Sequence, residues 1–139
     1  MMNILLDNIN PIATAQILIA LLLAICFLQS GLDKVLDFSG NLDWLVGHFK
    51  NTVFAKLVPV LLIIITSLEL LGGSFCILGI INYFITGNNN IILFGYLVVS
   101  ISLICLFLGQ RIAKDYEGAA VLVGYFIITS VGILSFGLT

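Results

Sequence analysis

The sequence predicts an all-α integral membrane protein: a four-helix bundle with a short interfacial helix between helices 1 and 2. Three observations predict it. Four apolar stretches of about 20 residues follow one another, each long enough to cross a hydrocarbon core of about 30 Å. Of the 139 residues, 61% are hydrophobic and only 9% are charged, against about 25% in a soluble domain. All five Lys and Arg residues fall in two of the three connections. Mean hydropathy is +1.25, so lipid, not water, is the expected solvent for most of the surface. The length fits one domain, residues 1–139.

The first span covers about 12–32, and its helical pattern continues toward Phe38. Asn10 suits the N-cap and Pro11 the first helical position. The preceding residues carry no Lys or Arg, so a cleaved secretory leader is not expected. In the first connection, Leu42, Leu45, Val46 and Phe49 recur at helical spacing around Trp44. This predicts an amphipathic helix at the membrane interface, the level that Trp favours.

The second span covers about 57–81, and Pro59 either begins or kinks its helix. An uncharged turn with Gly87 and three Asn leads to the third span, about 91–110. The short charged stretch 111–118 leads to the fourth, about 119–138. Lys34, Lys50 and Lys56 lie in the first connection, Arg111 and Lys114 in the third. The positive-inside rule places both connections in the cytoplasm, and both termini with the Asn-rich turn on the non-cytoplasmic side. A weak internal echo also runs along the chain: Phe27-Leu28 before Lys34, and Phe107-Leu108 before Lys114.

Several function classes are excluded. Five basic residues cannot make a nucleic-acid surface. Cys26, Cys76 and Cys105 lie in apolar runs with no CxxC spacing, so they are expected to pack helices. A thiol redox role would need Cys26 and Cys105 to meet. His48 is the only histidine and has no second ligand in view, so no metal site is expected.

Glu69 carries the most information. It stands 12 positions after Leu57, about 18 Å along the helix and near the membrane centre. A carboxylate there costs roughly 2.5 kcal/mol or more, so it should face the bundle interior. Whether it ties helices together or binds a proton, a quinone headgroup or another polar ligand stays open. Thr66, Glu69, Gly73 and Cys76 share one helix face, and Gly72-Gly73 allows another backbone to approach.

The end of the first span supplies a polar stripe of Gln29, Ser30, Asp33, Lys34 and Asp37. Lys34 would pair with Asp37, snorkel to the headgroups, or turn inward to Glu69. The depth estimate sets Glu69 well below Lys34, so a direct salt bridge is not expected unless the first helix tilts or dips. Gly31, Gly72, Gly73, Cys76, Cys105, Gly109 and Gly124 are the expected packing positions, with Ser102 on the Cys105–Gly109 side. Tyr125 could send a hydroxyl inward.

At Phe27-Leu28-Gln29-Ser30-Gly31-Leu32-Asp33-Lys34 and Glu69-Leu70-Leu71-Gly72-Gly73 the sequence resembles the DoxX family of small four-helix membrane proteins. The family pattern has Gly-x-x-Lys at the first place and Glu followed by glycines at the second. Span number and length also match, so the resemblance covers nearly the whole chain. It implies a bacterial cytoplasmic (inner) membrane protein in a redox or respiratory setting. Gly31, Lys34, Glu69, Gly72 and Gly73 are the positions carried over. Some relatives look like subunits of a thiosulfate:quinone oxidoreductase. The basic residues common before the family's first helix are missing here, so the orientation is taken from charge. Lack of a CxxC weighs against a dithiol mechanism.

Three functional readings follow. The first is an accessory subunit of a larger membrane complex, non-catalytic or co-catalytic, partnered by other subunits. The second is a quinone-binding oxidoreductase subunit using Glu69, with Lys34 or Gln29 on the headgroup. The third is a small proton-coupled transporter.

Overall fold

The computed structural model describes residues 1–138, the Leu5 side chain excepted. Its elements are α1 (Met2–Leu6), α2 (Pro11–Leu36), α3 (Phe38–His48), α4 (Val58–Thr86), α5 (Asn90–Ile112) and α6 (Tyr116–Ser135), ending in a 3-10 turn, Phe136–Leu138. No strand occurs among the described residues. Helices α2, α4, α5 and the stretch from α6 to Leu138 are long and apolar enough to cross a membrane. They pack as an up-and-down bundle, α2 on α4, α4 on α5 and α5 on α6. The protein is a multi-pass membrane helix bundle.

Local chemistry sets the helix ends. Asn10 caps α2, its Oδ1 accepting from the Ile12 and Ala13 amides at 3.1 and 3.2 Å. Pro59 falls in the first turn of α4 and begins the helix without kinking it. Gly87 closes α4 at φ +75°, a left-handed value that suits glycine. Asp115 caps α6, accepting from the Gly118 amide at 2.9 Å. Helix α4 overruns the expected span and continues to Thr86, while α2 runs on to Leu36, within the helical pattern that continues toward Phe38. Polar residues beyond the apolar core extend a helix easily, because its backbone bonds stay internal.

Three close approaches lock α4 to α5. A Cβ on Gly79 would stand 2.7 Å from the Ile92 amide nitrogen, one on Gly95 2.9 Å from that of Cys76, and one on Gly72 3.3 Å from that of Val99. All three pairs share one antiparallel register. Without a hydrophobic drive between helices in lipid, such van der Waals contact is what holds them. Between α2 and α4, Gly31 lies against Leu70 and Gly73 against Leu28, a second fixed register.

The outside of the bundle is apolar, with Leu18, Ile25, Ile63, Ile101 and Ile127 all exposed. A cluster of Ala20, Leu23, Ala24, Phe27, Cys76, Tyr96 and Val99 forms the centre. Gly124 was expected to pack, but it is exposed with nothing within 4 Å of a Cβ placed there. Cys105 likewise faces outward. Their sequence neighbours are apolar on every side, so spacing alone could not tell the packed face from the lipid face.

Candidate functional site

Helix α3 lies across the charged end, with no residue fully buried. Trp44 stacks on His48 at 4.5 Å between centroids. His48 Nε2 donates to Gln110 Oε1 at 3.0 Å and stands 3.8 Å from Asp115 Oδ2. These contacts tie α3 to the α5–α6 turn. The Phe49 ring, just past α3, covers Gly109.

Beneath this roof, α2 and α4 bring together the two segments singled out in the sequence. Lys34 Nζ lies 2.9 Å from Glu69 Oε2. Ser30 Oγ donates to Glu69 Oε1 at 3.0 Å. The same ammonium donates to Ser30 Oγ at 2.7 Å and to the Ser30 carbonyl at 3.2 Å. The Glu69 side chain is 2% exposed and that of Lys34 16%. A carboxylate, an ammonium and a hydroxyl therefore form one closed network within the span region.

This overturns the depth argument against a Lys34–Glu69 pair, for two physical reasons. Helix ends were assumed level, but Gly31 faces Leu70, so Leu36 stands level with Ile65, about 10 Å inside the start of α4. Helical side chains also lean toward their own N-terminus. Lys34 bends back one turn along α2, onto Ser30 and away from Asp37. Asp37 instead caps α3, accepting from the Gly40 amide at 3.2 Å.

The remaining candidates surround this network. Gln29, Ser30, Asp33 and Glu69 line a cleft of about 320 Å³ that Leu122 and Tyr125 of α6 close from the far side. Gln29 and Asp33 are exposed, Ser30 half-buried. Cys26 Sγ lies 3.6 Å from the Tyr125 hydroxyl, whereas Cys105 lines a different cavity. The two thiols thus serve different openings. Gly31, Gly72, Gly73 and Cys76 are buried at helix crossings, and Thr66 is buried on the same α4 face. The echo of Lys34 at Lys114 does not extend to structure: Lys114 is exposed at φ 60° in the α5–α6 turn. No cluster of three His, Cys, Asp or Glu suited to a metal occurs among the described residues.

The chain matches no family model, no curated protein and no solved structure. Its chemistry has to be read from the site itself.

Sequence reasoning missed a second polar centre at the opposite end. Gln16 is 1% exposed. Its Oε1 accepts from Asn89 Nδ2 at 2.7 Å, its Nε2 donates to Ser135 Oγ at 3.0 Å, and its carbonyl accepts from the Tyr96 hydroxyl. One residue thereby joins α2 to the Asn-rich turn, α5 and α6. The signal was present, since an amide inside an apolar run needs partners in lipid. Ser102 was also underread. It is wholly buried and its hydroxyl has no partner among the described residues. The α4–α5 register sets it level with Glu69.

Proposed function

We propose that this chain is a DoxX-like membrane subunit that works beside a redox partner, and that its cleft takes a quinone headgroup. The Ser30–Lys34–Glu69 network at the edge of an open cleft carries this reading. A volume of about 320 Å³ falls at the small end of ligand sites, which run from about 300 to 1,000 Å³. Apolar side chains from α5 and α6 would hold a ring. Glu69 would exchange a proton with a ring oxygen, and Ser30 or Gln29 would hydrogen-bond it. Lys34 stays paired with the carboxyl group until the ligand competes for it.

The DoxX part is supported by contact between the two resembling segments: Gly31 on Leu70, Gly73 on Leu28, Lys34 on Glu69. The accessory-subunit part rests on the connections between the spanning helices, which are too short to hold a redox domain. The resemblance supports a bacterial cytoplasmic membrane location, and the basic residues at one end support an orientation with that end inside and both termini outside.

Titration of the protein in lipid nanodiscs with a short-tailed benzoquinone tests the site. Saturable binding is expected, weakened about tenfold, or 1.4 kcal/mol, by Glu69→Gln or Ser30→Ala. Binding that is equal in all three proteins overturns the reading. Affinity capture in mild detergent should recover a redox subunit in fixed ratio, and a bare homo-oligomer counts against that half of the proposal.

A further inference from the structure

The second cavity, about 380 Å³, lies under α3 and the Phe49–Phe54 stretch. Its walls are Leu61 and Ile65 of α4 and Leu106 and Gly109 of α5, with Leu45 and Phe49 as roof. The Lys34 side chain also lines it. We propose that this cavity seats one acyl chain of a membrane phospholipid.

Three observations carry the inference, independently of the quinone reading. First, the mouth opens on the lipid-facing flank. Ile64 and Leu108 at its edge are 49% and 51% exposed, and Cys105 beside them is exposed too. A chain from the bilayer reaches it without crossing water. Second, the site offers no seat for a charged group. The Lys34 ammonium already forms an ion pair with Glu69 Oε2 at 2.9 Å and donates to Ser30 Oγ and the Ser30 carbonyl. An anionic head would have to break that network, whereas an alkyl chain lies along the methylene stem of Lys34. Third, the other polar lining groups, Asn41 and Trp44 of α3 and Gln110 in the last turn of α5, belong to the charged end. That is headgroup level, where the polar part of a lipid has to sit when its chain is inside.

The test uses the full chain in phosphatidylcholine vesicles containing a phospholipid with a photoactivatable diazirine on one acyl chain. Adducts after irradiation are mapped by peptide mass spectrometry. Labelling is expected to concentrate in residues 61–65 and 105–109, well above that of Val121, Ile127 and Val131 of α6, which are 65%, 57% and 55% exposed. Cys105→Trp, which fills the mouth, should lower those adducts and leave the α6 ones unchanged. Labelling that follows exposure, with α6 ahead, overturns the proposal. So does labelling in the cavity that persists at full level in Cys105→Trp.

Discussion

Lys34 Nζ stands 2.9 Å from Glu69 Oε2, with Ser30 bonded to both. Neither partner can be removed alone without cost. Glu69 is almost wholly buried, so losing the ammonium leaves a carboxylate in a medium that does not solvate it. Lys34→Met should therefore destabilise the bundle by about 3–5 kcal/mol. The double variant Lys34→Met/Glu69→Leu should recover most of that loss. Chemical denaturation in detergent, arranged as a double-mutant cycle, reads the coupling. Additive losses would mean that the pair is not a unit.

Glycines on α4 and α6 should respond in opposite ways. Gly79→Ala places a methyl 2.7 Å from the Ile92 amide nitrogen, a backbone atom that cannot rotate away. The helices must separate, at about 1–3 kcal/mol. Gly124→Ala meets nothing within 4 Å and should gain up to about 1 kcal/mol of helix propensity. Thermal midpoints in one detergent check both. A destabilised Gly124→Ala would mean that α6 is covered by another chain.

These glycines show how far the sequence could be read. Gly72 and Gly73 stood beside a carboxylate that had to face inward, and Glu69 fixed the buried face of its helix. Gly124 had no such neighbour. α4 and α6 are apolar nearly all round, so periodicity carries little orientation. The register between helices is harder still. Nothing within α2 or α4 alone specifies that Gly31 meets Leu70, because the sliding of two helices is decided by which small residues coincide. That sliding brought Lys34 to Glu69.

The buried hydroxyls separate satisfied from unsatisfied groups. Tyr96→Phe removes the donor to the Gln16 carbonyl and should cost about 0.6–1.7 kcal/mol, the range for interhelical bonds in membranes. Ser102→Ala removes a hydroxyl with no partner among the described residues and should be neutral or stabilising by about 1 kcal/mol. If Ser102→Ala instead weakens benzoquinone binding, Ser102 is a member of the site. Unfolding and titration on the same samples distinguish the two.

Sidedness has a direct check. In a background with Cys26, Cys76 and Cys105 replaced by Ala, single cysteines at Lys50 and Asn88 should differ in labelling by an impermeant maleimide on intact bacterial spheroplasts. Asn88→Cys should react and Lys50→Cys only after lysis. The reverse result would refute the charge-based orientation.

Gln16 also constrains how the chain is made. Gln16 leaves the ribosome before its partners: Asn89 lies 73 residues later and Ser135 another 46. At about 5–20 residues per second, translation supplies these partners on the order of ten seconds after the amide emerges. Until then the amide must be solvated by something other than its final neighbours. The polar contacts of α2 at Gln16 are thus completed only after α6 has joined the bundle.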